Sequence, residues 1–260
     1  MKNSHSIVKA RQNNILDYIE SNGIATVNNL SKLFYASPLT IRRDLDELVK
    51  AGKRERNHGG AVAKERESAD RTLNLKIVAC KHAIAKQAAT MVEDNDTIFI
   101  NSSSTALLVL KYVTAKNVTV ITNNAKALFA ARPKDSVLFF TGGEIRTPKD
   151  AMVGEFAVNS VSSVTANKCF MGCAGVSPTK GPMSTVLQEA SINGLMYRQT
   201  YGKRILLADY RRFDCIHPFS VCPITDITHI IYDSSVPLKT VEPYKRLGIV
   251  TIQAKTSNKI

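Results

Sequence analysis

Apolar residues fall into two regimes along this chain: helical spacing over roughly the first sixty positions, and short unbroken runs beyond position 95. Ile15, Leu16 and Ile19 predict a helix over 11–21, and Asn22-Gly23 ends it as helix C-termini commonly end. A second short helix fits Val27 to Phe34, with Leu30, Leu33 and Phe34 expected to face inward. Ser37-Pro38 then reads as a helix start, because serine is a favoured N-cap and proline is tolerated at the first helical position. Ile41, Leu45 and Leu48 follow on one face, and Gly52 sits where a terminating residue belongs, so a third helix is predicted from Pro38 to Ala51.

On that third helix Arg43 points away from the apolar stripe, while Thr40 and Arg42 flank it. An arginine fork suits guanine edges or phosphates, but Asp44, Asp46 and Glu47 share the outer side, and an ordinary solvated face fits equally well. The residues that follow break the tie. Lys53-Arg54-Glu55-Arg56 is basic, and Gly59-Gly60 with Ala61-Val62 predicts a two-stranded turn back to the body. Three helices and a basic hairpin outline a winged helix-turn-helix. Ser37, Thr40, Arg42 and Arg43 would then face double-stranded DNA, with Lys53, Arg54, Arg56 and His58 of the wing beside its backbone.

The second regime alternates apolar runs with helical segments. The runs are Thr97–Ile100, Val118–Ile121, Val137–Phe140, Cys169–Met171, Ile205–Ala208 and His229–Tyr232, which predict a mostly parallel sheet covered on both faces, an α/β domain. Each run is followed by a polar or glycine-rich turn, and in such sheets ligands bind at the carboxyl ends of the strands. Ser102, Ser103, Ser104 and Thr105 lie between a strand and the apolar segment Ala106 to Val113, where hydroxyls and amides could cradle a phosphate. One hydroxyl would be enough for capping alone.

Composition sharpens this picture. The chain has 260 residues, comfortable for two domains, and its hydrophobic content of 44% rules out a disordered polymer. Lys and Arg number 35 against 22 Asp and Glu, a formal charge of +13 that favours polyanionic partners. The start MKNSHSIVKARQNN is polar where a signal peptide needs an apolar h-region, and no stretch reads as a membrane helix, so a cytoplasmic protein is expected. Cys80, Cys169, Cys173, Cys215 and Cys222 lack zinc-site spacing, so buried reduced thiols are expected, with no metal and no cofactor.

The stretch TIRRDLDEL, followed after the terminating glycine by an arginine and HGGA, resembles the N-terminal signature of the DeoR family of bacterial transcription regulators. From about Lys76 to Ile252 the pieces DNDTIFINSSST, VTVITNN, FFTGGEIR, VGE, CFMGCAGV and LLADYRRF resemble that family's effector domain. The resemblance implies a fold related to ribose-5-phosphate isomerase and glucosamine-6-phosphate deaminase, and an effector that is a phosphorylated sugar or polyol. It places the effector at Asn101, Ser102, Ser103, Ser104 and Thr105, with Asn123, Gly142, Gly143, Asp209 and Arg212 around it. Three positions depart from the family pattern. Asn101-Ser-Ser-Ser-Thr105 stands for Asp-x-Gly-Thr-Thr, Arg212 stands for lysine, and Cys80 stands for the glutamate that usually precedes lysine.

The expected organisation is a DNA-binding domain over 1–63, a linker over 64–75 and an effector domain over 76–260. The expected function is regulation of transcription, as a repressor of a sugar or polyol catabolic operon, by a homo-oligomer bound to operator DNA. A sugar-phosphate isomerase or deaminase with a DNA-binding appendage is the competing reading. Such chemistry needs a positioned base, and the loop offers Asn101 where a carboxylate would serve, leaving only Asp209 and Glu155 as conceivable bases, so no catalytic residue is expected. A nucleic-acid binder without an effector leaves the second domain unexplained.

Overall fold

The structure is a computed structural model that describes residues 8, 11–12, 14–15, 18, 24–34, 36–50, 54–57, 60–63 and 67–255; at 24–25, 49–50 and within 54–72 it describes the backbone alone. The chain divides into two compact units, Met1–Val78 and Ala79–Ile260.

In the first unit, the described positions Val8, Arg11, Gln12, Asn14, Ile15 and Tyr18 are helical, whereas Leu16, Ile19 and the expected stop at 22–23 lie outside the described residues. Strand β1 (Ile24–Thr26) leads into helix α1 (Val27–Leu33), and helix α2 covers Pro38–Lys50. Strands β2 (Arg54–Asn57) and β3 (Gly60–Ala63) pair antiparallel, and β1 joins the other side of β3. Ile15, Val27, Leu30, Ile41, Leu45 and Leu48 form one buried cluster. Two expectations change here. Leu33 is 47% exposed and Phe34 only half-buried, because α1 has just seven residues and its inward side is set by Val27 and Leu30. Asp44 is not on a solvated face: it is buried and held by the Arg11 guanidinium, Nε donating to Oδ2 and Nη2 to Oδ1 at 3.2 Å. That hydrogen bond raises the arginine pKa against the opposing effect of burial.

Helix α3 (Glu67–Ala89) begins well before the expected Lys76, inside the segment expected as a linker. Its early residues are polar, which hides helical periodicity from an apolar pattern. The second unit is built on seven strands, all paired in parallel: β4 (Thr97–Ile100), β5 (Thr119–Thr122), β6 (Val137–Phe140), β9 (Ala166–Gly172), β12 (Thr200–Ala208), β14 (His229–Asp233) and β15 (Val250–Ala254). Their order is β15-β14-β12-β9-β4-β5-β6. All six expected strands are present, and β15 adds an edge that the apolar pattern misses because Thr251 and Gln253 interrupt it. Between β6 and β9 lie a hairpin of β7 (Glu144–Arg146) and β8 (Ala151–Val153) and helix α5 (Glu155–Ser162). A smaller sheet joins β10 (Gly175–Ser177), β11 (Gly181–Ser184) and β13 (Phe219–Ser220).

Helix α4 (Ser104–Tyr112) follows β4, α6 (Leu187–Arg198) precedes β12, and α7 (Leu238–Arg246) precedes β15. The regular alternation breaks after β5 and before β14, where the helical pieces are single 3-10 turns, Ala125–Phe129 and Ile224–Asp226. Two apolar cores lie in this unit. One gathers Ile98, Ile100, Val120, Ile205 and Leu207 with α3 and α4; the other gathers Phe99, Ile121, Met171, Leu206 and Ile230 with α5, α6 and α7. The alternation of neighbouring residues between the two clusters is the period of a strand buried on both faces. Chain order reverses beside β4: later strands β5 and β6 lie on one side, β9, β12, β14 and β15 on the other. Such a switch point opens a crevice at the carboxyl ends of the strands.

Candidate effector site and DNA-reading face

The crevice forms between the ends of β4 and β9. Asn101 leaves β4 and turns its buried amide across to β9, donating from Nδ2 to the Gly172 carbonyl at 2.9 Å and accepting the Gly172 N–H at Oδ1 at 3.0 Å. Both a donor and an acceptor are needed there, so the amide that replaces the family's usual carboxylate fits this double contact. Oδ1 also accepts the Ser103 N–H at 3.3 Å. Ser103 caps α4, its Oγ accepting the N–H groups of Thr105 and Ala106 at 3.2 and 3.5 Å. The N–H groups of the cap Ser103 and of Thr105 and Ala106 in the first turn are thereby taken, and Ser104 between them presents its own N–H and an exposed hydroxyl. Gly172 has no room for a side chain, since a Cβ there would overlap the Ser103 hydroxyl. Ser102 and Thr105 are buried.

Charge gathers on the β9 and β12 side. The buried Asp209 carboxylate, just past β12, receives Arg211 through two bonds, Nε to Oδ1 at 2.9 Å and Nη2 to Oδ2 at 2.7 Å. Arg212 stands 3.8 Å from the same carboxylate and donates to the Ala174 carbonyl at 3.3 Å. Burial alone would raise the Asp209 pKa, but the Arg211 hydrogen bond and the two guanidinium charges hold it below the usual carboxylate range. Lys81, from α3, donates to Ser104 Oγ at 3.1 Å. Burial, then the field of Arg211, lowers its pKa, with Asp209 opposing. Three cations thus share one carboxylate beside a helix N-terminus, the electrostatics of an anion site. Next to them, burial pushes the Cys80 thiol up to about 12, with Asp233 adding to the effect.

The other expected site residues lie toward the β7–β8 hairpin. Asn123 is fully buried and bound to Met152, receiving its N–H at the main-chain oxygen (2.7 Å) and donating from Nδ2 to its carbonyl (3.3 Å). Gly142 and Gly143 turn the chain after β6 with φ of 68° and 102°, and Gly143 packs so closely on the Val153 carbonyl that a Cβ would collide. Lys81 and Arg211 are the residues that sequence reasoning left out. Lys81 carried a signal only as the lysine beside the unusual Cys80, and nothing in Asp209-Tyr-Arg-Arg212 says which arginine turns onto the aspartate. Of the thiols, Cys80, Cys169 and Cys222 are buried as expected, but Cys173 is half-buried and Cys215 exposed, since both lie in connecting loops.

In the first unit, Ser37 caps α2, its Oγ accepting the Thr40 N–H at 3.2 Å while the two hydroxyls meet at 2.9 Å. Arg42 and Arg43 are exposed on the first half of α2, clear of the buried stripe. Arg54 and Arg56 sit on β2, described in backbone only, and Lys53 and His58 lie outside the described residues.

The chain matches the DeoR-like helix-turn-helix domain over residues 11–67 and the DeoR C terminal sensor domain over residues 76–234. It belongs to the DeoR family. It is 29% identical to the HTH-type transcriptional regulator GolR of Listeria innocua, over 92% of this chain and 96% of that one. It is 28% identical to the lactose phosphotransferase system repressor of Staphylococcus aureus, over 90% and 96%. Among solved structures, ribose 5-phosphate isomerase A from Methanocaldococcus jannaschii aligns with TM-score 0.36 and 16% identity over 51% of this chain and 52% of that one. This DeoR-family protein is therefore a DNA-binding transcription regulator and not an enzyme. Of the two carboxylates considered as bases, Asp209 is bound by Arg211 and Glu155 is exposed at the start of α5. Among the described residues no helix is long and apolar enough to cross a membrane.

Proposed function

We propose that this regulator represses a sugar or polyol catabolic operon in the cytoplasm and is released from its operator by a phosphorylated sugar or polyol bound at the β4–β9 crevice. Residues 1–63 hold the DNA, 76–260 hold the effector, and 64–75 join them. The observation that carries the reading is the excess of positive charge at one helix end: Lys81, Arg211 and Arg212 against Asp209, with Ser104 between lysine and helix. A phosphate dianion would complete that charge, its oxygens accepting from the Ser104 N–H and hydroxyl and from a guanidinium fork. The name of the staphylococcal relative, a repressor of a sugar phosphotransferase system, points the same way. Regulation further requires that effector and DNA change each other's affinity, by typically ~1–3 kcal/mol and equally in both directions.

Thermal shift with phosphorylated sugars and their unphosphorylated parents tests the site. A true effector at 100 times its dissociation constant stabilises the chain by about 2.7 kcal/mol. Lys81→Ala and Arg212→Ala are expected to abolish most of that response. Parents that stabilise as well as their phosphates, or variants that respond like the wild type, would overturn the proposal.

A further inference from the structure

We infer that the free edge of β6 is the docking surface for a second copy of this chain, strand against antiparallel strand about a twofold axis. β6 ends the seven-stranded sheet, and among the described residues no strand pairs with its outer side. The Val137 and Thr141 N–H groups donate inward, to Val118 and Thr122 carbonyls at 3.0 Å each. By the two-residue period of a strand, the N–H and carbonyl groups of Leu138 and Phe140 point to the open side. An unpaired row of this kind is a template for another strand, and proteins that keep such an edge single guard it with charge, proline or a bulge.

Val137-Leu-Phe-Phe140 has none of these guards. Val137 and Phe139 are moreover 51% and 56% exposed on one face. The opposite edge, β15, differs in that Thr251 and Gln253 interrupt its apolar run. A twofold contact that uses the same edge on both copies closes as a pair and does not propagate into a filament.

The geometry names the contacts. If Leu138 of one copy bonds Phe140 of the other and the reverse, all outward groups of both strands pair, and the axis passes through Phe139. The two Phe139 residues then face each other as a non-hydrogen-bonded pair, where side chains approach closest. The occupant is a second copy because the surface is complementary to itself and because a helix-turn-helix with one recognition helix reads paired half-sites as a dimer.

Sedimentation of the full chain tests the inference. Wild type is expected at the mass of at least two copies, and Phe139→Lys, an exposed position, at about half that mass. Affinity for a duplex carrying two half-sites should fall on the order of a hundredfold with it. A monomeric wild type, or an unchanged mass for Phe139→Lys, overturns the proposal. Should Phe139→Lys fail to fold, Phe139→Cys in a Cys215→Ser background decides: mild oxidation should yield a reducible covalent dimer, and a chain that stays uncross-linked overturns it.

Discussion

Asp209 shows how one side chain sets the character of the crevice. Its pKa is depressed on folding, so the pair with Arg211 contributes stability fully above the unfolded carboxylate pKa of about 3.9 and loses it as pH falls through the lower folded value. Scanning calorimetry from about pH 7 to about pH 3 should show the wild type losing stability at the acid end while Asp209→Asn, already weaker by on the order of 3 kcal/mol at neutral pH, declines less. Coincident profiles would remove Asp209 from this role. The same residue marks what could be read without a structure. Its position after an apolar run placed it at the ligand edge, as it did Ser102 to Thr105. The burial of Asn101 against Gly172 could not be read, because the two lie 71 residues apart and nothing local links them.

Elements were more legible than contacts. Helix α2 was predicted within one residue at its end because Ser37, Pro38 and the Ile41-Leu45-Leu48 stripe all act within a few positions of one another. The early start of α3 and the strand β15 were missed because polar residues occupy them. The exposed Arg42 and Arg43 make the outer face of α2 testable by substitution. Arg43→Ala should cost ~1–3 kcal/mol on the true operator and far less on an unrelated duplex. Arg56→Ala, on the hairpin strand β2, should weaken both alike and flatten the salt dependence. Titrations at several salt concentrations separate the two, and equal losses on both duplexes for Arg43→Ala would place that arginine on phosphate.

At the scale of the molecule, a helix-turn-helix and a parallel-sheet domain were both visible from pattern alone. What pattern could not give is the order of strands, since each apolar run looks much like the next. That order has a kinetic consequence. The Asn101–Gly172 contact spans 71 residues, and Asp209 with its two arginines lies later still, so the crevice closes only after β9 has joined β4 and β12 has joined β9. Pairings so distant along the chain form late, after their loop-closure entropy has been overcome. A ligand that needs all of them grips the native state and not the barrier that precedes it. Stopped-flow measurements should therefore find that effector slows unfolding in step with its stabilisation and leaves the refolding rate almost untouched. A refolding rate that rises with effector would mean that the crevice assembles before the sheet does. During synthesis, the proposed effector site would be complete only once the residues through Arg212 have left the ribosome.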